Sequence, residues 1–529
     1  MTVRISQLKL PLDYEKTPLA AHAARALRCA GEDIISVALR RKSVDARDKA
    51  DIRFVLTLDV ELRRMPRALP ANCEIAEPDA PRALPAPRAL ARRPVVVGLG
   101  PAGLFAALTL AKAGLRPVVL ERGKPVDERA RDVRAFWAGG ALDPESNVQF
   151  GEGGAGAFSD GKLNTGIKDA RCREVLEELF RAGAPEEILC EARPHVGTDR
   201  LPEVVKNLRE RIVALGGDVL FETKLTGLKV EDGHLRGAVA ERAGDRLELD
   251  ADDLILAVGH SARDVFEMLA AAGVRMSPKP FSIGARIEHS QISIDRAQYG
   301  GSAGHPALPA ADYRLSAQLP GGRAAYTFCM CPGGTVVAAA SEQGSVVTNG
   351  MSPFARDGKN ANSALLVSVS PADFPGSDVL AGVRFQREWE RAAFELGGGD
   401  FRAPAQSVGD FLAGRPSSGA GDVEPSYLPG VKYADLSKCL PDYAVSGMRL
   451  AIALFDRRLK GFASPGAILT GPETRSSSPL RIERDAGGEA SLKGLYPCGE
   501  GAGYAGGILS AAVDGIRAAE ALITDGAIV

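Results

Sequence analysis

Between Pro94 and Arg122 the chain reads Pro-Val-Val-Val, Gly98-Leu-Gly100-Pro101-Ala102-Gly103, an apolar helical run to Gly114, and Leu-Arg-Pro-Val-Val-Leu-Glu-Arg. A β-branched strand, a glycine turn, a helix and a second strand in that order form half of a βαβ unit. Such a unit commits its neighbourhood to a parallel sheet, because the crossover helix returns the chain to the same edge. The three glycines differ in purpose. Gly98 makes the tight turn, Gly100 lets backbone approach a pyrophosphate, and Gly103 allows close packing of helix on strand. Pro101 and Ala102 open the helix, whose N-terminus offers N–H groups to phosphate. Glu121 ends the second strand, where a carboxylate would accept from ribose hydroxyls; Arg122 beside it is counted with the same site. An acidic residue there favours a ribose without a 2′-phosphate.

Composition narrows the class. The 529 residues allow about three domains, and 45% apolar with 25% charged residues excludes a disordered chain, a collagen and a coiled coil. Net charge is −2, divided unevenly. Residues 1–93 hold 18 basic against 12 acidic side chains, and the remainder 47 against 55. The eight cysteines include no Cys-x-x-Cys pair, so neither a zinc ribbon nor a thioredoxin-type dithiol is expected, and no metal site is assigned. Arg4, Lys9 and Asp13 interrupt any leader-like apolar run, and Lys112 and Arg116 interrupt the most apolar stretch, so the expectation is a cytoplasmic protein with no membrane partner.

Five segments are expected. Residues 1–60 read as a small α/β domain, with strands at 3–10, 34–41 and 52–60 and a helix at 18–30. Residues 61–93, with six prolines, read as a semi-extended linker. Residues 94–275 and 466–529 would form a nucleotide-binding domain around an inserted domain at 276–465, with strands at 281–290 and 324–340, a loop-rich stretch at 341–375, and helices at 379–396 and 446–460. The N-terminal hairpin carries Arg40, Arg41, Lys42, Arg47, Lys49 and Arg53, but Asp45, Asp48 and Asp51 interleave with them. Aromatic residues for base stacking are few, so nucleic acid is not the expected partner.

Three further motifs identify the nucleotide. Residues 252–261, DDLILAVGHS, form an apolar strand ending in Ala257-x-Gly259, and resemble the second signature of FAD proteins. Residues 495–514 run strand, Gly499-Glu500, then Gly506-Gly507-Ile508 and a helix. They resemble the C-terminal FAD signature, with Glu500 where many relatives carry Asp. Residues 151–165, GEGGAGAFSDGKLNT, resemble the loop that meets the isoalloxazine ring in two-domain flavoproteins of the glutathione-reductase superclass; Gly153, Gly154, Ser159, Gly161, Lys162, Leu163 and Asn164 are its candidate contacts. The stretches HVGTDRLPEVV, KPFSIGARIEH, YTFCMCPGG, NGMS and GPETRSSSP complete a resemblance to the bacterial FAD-dependent dehydrogenases of unassigned substrate. The opening 43–60 resembles their small N-terminal domain.

The resemblance implies an α/β fold: a Rossmann-type FAD-binding domain, an inserted α+β substrate domain and a small N-terminal α/β domain. It implies non-covalent FAD and oxidoreduction of a small-molecule substrate, by hydride transfer at flavin N5. The alternatives kept beside it are reduction of an unsaturated bond and an RNA-associated flavoprotein of the tRNA-modification type. No second glycine fingerprint follows a strand, so NAD(P)H would bind only transiently, as electron donor.

Candidate catalytic residues are His195 and His260, as proton carriers, and Arg475, as an anion clamp among Thr474 and three serines. For each, a structural reading stands alongside: a hydrogen-bonded histidine, a turn. Arg286 and His289 could face an anionic substrate or simply cover the sheet. Cys329 and Cys331 read first as apolar packing beside the flavin pocket, then as a single thiol contacting substrate, and last as a redox dithiol, because side chains at i and i+2 on an extended strand run parallel rather than converging.

Overall fold

The computed structural model describes residues 1–77 and 82–524. Its centre is a five-stranded parallel sheet in the order Leu495–Pro497, Leu254–Leu256, Val95–Val97, Val118–Leu120, Asp218–Leu220. The strands are three residues each and the middle three are apolar throughout, as befits a sheet covered on both faces. Helices Pro101–Lys112 and Ile508–Thr524 pack together on one face. A Cβ at Gly515 would stand 2.0 Å from the Ala102 carbonyl oxygen, so glycine is what permits this approach. The crossover to the Leu254 strand is an antiparallel meander, Thr223–Glu231, His234–Arg242 and Asp245–Asp250.

The second layer is a seven-stranded sheet in the order Ser316–Gln318, Ala324–Cys331, Asn360–Val369, Phe281–Ser290, Ile468–Glu473, Ala403–Ser407, Val431–Tyr433. Helices Ala381–Gly397 and Asp442–Asp456 pack against it. The stretch 341–375, expected to be loop-rich, instead supplies the ten-residue strand Asn360–Val369 beside the central Phe281–Ser290. Both faces of this strand are buried, so its polar Asn362 and Ser363 sit where a half-exposed strand would carry apolar residues. The alternation that flags a strand is therefore missing.

The N-terminal sheet has the order Ile34–Asp45, Arg53–Leu62, Thr2–Leu10, Cys73–Ile75, with helix Leu19–Leu27 against it. Cys73–Ile75 pairs with Val3–Ile5, so the expected linker 61–93 contributes an edge strand and the sheet passes residue 60. Residues 88–93 are pinned by arginine. Arg88 reaches Asp253 (2.6 Å) and the Leu522 carbonyl (2.9 Å), Arg92 reaches Asp252 (2.9 Å), and Arg93 reaches Asp218 (2.6 Å). Proline runs lack N–H donors for a sheet, and the arginines supply the attachment instead. Among the described residues no helix is long and apolar enough to cross a membrane.

The small domain is docked as well as tethered. Lys42 N–H donates to the Cys190 carbonyl and Ala192 N–H to that of Lys42, both at 2.8 Å, while Ile52 joins a buried cluster with Tyr299. Removal of residues 1–77 is expected to lower the melting temperature of the remainder by several degrees in differential scanning fluorimetry. An unchanged melting temperature would mean that the docking contributes nothing.

Candidate active site

A cleft of about 1560 Å³ opens at the carboxyl ends of the parallel strands, the place where open α/β sheets bind ligands, and continues to the second sheet. Its upper end is built by backbone. Gly98 has φ +97°, and a Cβ there would meet the Ala257 carbonyl oxygen at 2.4 Å; a Cβ at Gly103 would meet the Gly98 carbonyl oxygen at 1.8 Å. Helix and strand therefore touch through two glycines. At Gly100 the nearest atom to a built Cβ is the Gly154 Cα, 3.7 Å away, which brings the turn and the 151–161 loop together across the cleft wall. Ile508 packs over Gly156, adding the third motif.

Glu121 lines the cleft and is only 4% exposed. Oε1 accepts from Gly123 N–H (2.9 Å) and Gly151 N–H (3.0 Å), and Oε2 from Leu99 N–H (2.8 Å). Of the four acceptor positions of a carboxylate, three hold the turn and one remains. Arg122 stacks on Phe150 at 4.0 Å and binds Glu145 (2.6 Å) and Asp264 (3.0 Å), so it shapes the wall while its charge is matched by protein. His260 Nδ1 lies 3.4 Å from Glu500 Oε1, while its buried Nε2 has no hydrogen-bond partner among the described residues. An orphaned nitrogen in a cleft whose glycines leave no side chains in the way fits a long polar ligand.

Ala257, Gly259, Gly499, Gly506, Gly507, Pro101, Ala102 and Asn164 line the same cleft. Ser159 closes its loop by accepting from Gly161 N–H (3.0 Å), and Leu163 is buried beneath it. Gly153 and Gly103 do not line the cleft: Gly153, at φ +85°, faces Val205, and Gly103 sits at the helix–strand contact.

Farther in, the cleft reaches a charged chamber. Lys162 Nζ lies 2.9 Å from Asp160 and 3.9 Å from Cys331 Sγ. Arg356 holds Asp160 by two bonds, at 3.0 and 2.6 Å. Burial alone would raise the Asp160 carboxyl, but Lys162 and Arg356 hold it well below the usual range. Burial opposes the Lys162 charge, and Cys331 and Asp160 outweigh it. Arg286, fully buried beneath the chamber, binds Glu473 (3.2 Å), Asn362 (2.9 Å) and the Cys329 carbonyl (3.0 Å). Glu473 lines the chamber; burial, against the pull of Arg286, pushes its carboxyl up to about 7.

Three sequence expectations change. His195 does not line the cleft: its ring stacks on Phe354 (5.1 Å) and Nε2 bonds the Phe354 carbonyl (2.9 Å), an arrangement that matches the structural reading of this histidine. Arg475 does line it, but four of its five donors meet Glu390 (3.0 and 2.9 Å), Ser261 (3.0 Å) and Ser341 (2.6 Å), which leaves it as a structural ion pair rather than an anion clamp. The strand at 324–331 is not regularly extended. Cys329 has φ +43° and the register with Asn360–Val369 slips between Phe328 and Cys331, so the extended geometry that would run the two side chains parallel does not hold at this pair. His289, bonded to the Phe462 carbonyl (2.9 Å) and pushed down to about 4 by burial, lies outside the cleft. Glu473, Asp160 and Arg356 have no signal in the sequence, where each sits in a loop or strand end with no spacing that couples it to the others.

Three of the hairpin's arginines are paired within it: Arg40 binds Asp59 (2.6 Å), Arg47 binds Asp45 (2.7 Å) and Arg53 binds Asp51 (2.9 Å). A nucleic-acid role is not favoured.

Residues 280–476 match the family described as "FAD-dependent protein, C-terminal domain-like", residues 93–155 the FAD binding domain, and residues 2–61 a domain of unknown function. A Clostridium beijerinckii protein described as uncharacterized is 50% identical over 532 residues, covering 99% of each chain. The chain belongs to this family of FAD-dependent flavoproteins. Its cofactor is FAD. Among solved structures, the flavin-dependent brominase Bmp2 matches at 14% identity over 82% of this chain and 79% of its own, with a TM-score of 0.40. A flavoprotein/dehydrogenase from Cytophaga hutchinsonii matches at 13%, over 82% and 78%, with a TM-score of 0.37.

Two outcomes follow. Gly103→Ala is expected to give protein that retains no FAD, because even a methyl group collides with the Gly98 carbonyl; yellow, stoichiometric protein would contradict this. Glu390→Ala leaves the buried Arg475 without a carboxylate partner and Arg263 with Glu342 alone, and is expected to cost about 3–5 kcal/mol, measured by denaturant unfolding.

Proposed function

We propose that this flavoprotein oxidises a small-molecule substrate held in the chamber, and that the wider likeness to two-domain flavoproteins of the glutathione-reductase superclass applies to it. FAD supplies a two-electron hydride centre at N5, held non-covalently. The residues assigned to it are those that line the upper cleft. N–H groups of the Gly98–Gly103 turn and the helix N-terminus face phosphate, the free acceptor position of Glu121 takes a ribose hydroxyl, and Gly499, Glu500 and the Gly506–Ile508 segment close the far side. Lys162 and Asn164 sit where the redox end of the cofactor would meet the chamber, and a cation there favours a reduced, anionic cofactor. His260 Nε2 offers one further polar contact.

The observation that carries the reading is Glu473. A buried carboxyl pushed up to about 7, lining the chamber with a single cationic partner at 3.2 Å, is poised to exchange a proton near neutral pH. Above that pH it is ionised and takes the proton that leaves substrate with the hydride; below it, it is protonated and returns one. Asp160, held ionised by two cations, cannot serve this way. Arg286 positions Glu473 without itself reaching the chamber.

Anaerobic photometry with NADH, NADPH and a panel of acids, alcohols and enones identifies the donor and substrate by bleaching of the yellow protein. With an oxidisable substrate, kcat/KM is expected to rise through about pH 7 as Glu473 ionises, and Glu473→Gln to flatten that limb while FAD stays bound. A limb that persists in the variant would assign the proton to another group.

A further inference from the structure

We propose that Cys329 and Cys331 form a redox-active dithiol on the wall of the chamber that reduces a small anionic disulfide; this rests on the flavoprotein reading above.

The backbone makes the pair. A non-glycine residue at φ +43° holds an uncommon conformation that persists where the surroundings enforce it. Here the enforcement is visible. Arg286 donates to the Cys329 carbonyl (3.0 Å), and Cys331 Sγ folds back to 3.2 Å from that same carbonyl oxygen. The strand register slips at this point alone between Ala325 and Cys331. Cys331 Sγ thus lies against the Cys329 peptide, and the two thiols bias each other's ionisation, Cys331 downward and Cys329 upward, so they titrate as a pair.

The surroundings favour the ionised pair. Cys331 Sγ faces Arg286 Nη2 at 3.6 Å and Lys162 Nζ at 3.9 Å. Hydrogen bonding from Cys329 and these two cations pull the Cys331 thiol down against burial, and the Cys329 thiol is pushed up as the proton holder. A thiolate beside Lys and Arg is the usual setting of a reactive cysteine. Cys439 and Cys498 show the contrast: both are buried, burial drives their thiols up, and they remain ordinary packing groups.

Access divides the roles. Cys329 lines the cleft, while Cys331 is fully buried behind it. Cys329 therefore meets the substrate R–S–S–R′, passing its proton to Cys331 as it attacks. A bond forms between Cys329 Sγ and RS, the R–S–S–R′ bond breaks, and R′S⁻ leaves as the thiol after taking the proton from Cys331. The Cys331 thiolate then attacks Cys329 Sγ, closing the Cys329–Cys331 disulfide and releasing RS⁻, which is protonated by Glu473. The balance is one dithiol monoanion, one disulfide and one proton giving one protein disulfide and two thiols. With FAD bound and a reduced nicotinamide nucleotide as donor, two electrons and one proton would return the pair to the dithiol monoanion. The charge of the substrate follows from Arg41 and Arg314, which line the same cleft with no carboxylate within ion-pair distance among the described residues.

The test uses the yellow, full-length protein, handled anaerobically and treated with oxidised glutathione. After thiol blocking, trypsin releases residues 324–356, which contain these two cysteines and no other. The expected fragment carries neither glutathione nor a blocking group and is lighter by two hydrogens than the free dithiol, and adding reduced nicotinamide nucleotide before blocking gives the fragment with two blocking groups. Cys331→Ser is expected to retain a stable glutathione adduct on Cys329. In a dithionite titration the oxidised wild type is expected to take four electrons per FAD, and a Cys329→Ser/Cys331→Ser variant two. An unchanged fragment, or two electrons per FAD in the treated wild type, overturns the dithiol while leaving the flavoprotein reading in place; colourless protein overturns that reading instead. Equal reaction with cystamine, a cationic disulfide, overturns the charge assignment.

Discussion

Glu390 is the interaction on which the arrangement of the two sheets depends. It is fully buried and accepts from Arg263 (2.7 and 2.9 Å), Arg475 (3.0 and 2.9 Å) and Thr474 (2.7 Å). Arg263 opens the helix that follows strand Leu254–Leu256 of the parallel sheet, Glu390 lies on the helix against the second sheet, and Arg475 follows that sheet's strand Ile468–Glu473. One carboxylate thus ties the nucleotide-binding half to the chamber-bearing half. Burying charge is costly unless every group is paired and hydrogen-bonded. Here the two cations hold Glu390 ionised far below the usual carboxylate range against its burial, and Arg263 also reaches Glu342 at 2.7 Å.

The chamber has the same logic with one difference. Its cations Lys162, Arg286 and Arg356 face Asp160, Glu473 and Cys331, so charge is matched overall, but the acids are not equivalent. Asp160 has two cations within 3 Å and is locked. Glu473 has one, which it shares with Asn362, a carbonyl and a thiol. A locked acid and a loosely held one, side by side, separate a fixed charge from a group that can move a proton.

What is legible in the sequence is whatever the backbone needs locally. Gly98 and Gly103 are required by close approaches to backbone carbonyls within six residues, and Gly499 by a close approach to Ala102 in a later segment. Histidines and arginines carry no such local signal. His195 has the composition of a proton carrier, and a single neighbour from another loop, Phe354, occupies it. Arg475 has the setting of a free anion clamp, and a helix more than eighty residues earlier supplies its partner. Glu473 lies two residues from Arg475 and gives no signal at all, because a glutamate's burial is not written in its neighbours along the chain.

The sequence alone determined the parallel nucleotide-binding core and its cofactor, because strand, glycine turn and helix are fixed by residues adjacent in the chain. Only the tertiary structure decided the chemistry of the chamber. The ionisation of Glu473, Cys331 and Lys162 depends on burial and on charges brought within 4 Å from positions between about 160 and 475. The turn at Cys329 was decided the same way, since the bonds that hold it come from Arg286 on a different strand. Local propensity specifies backbone; the field felt by a titrating group is a sum over neighbours that the chain order does not reveal.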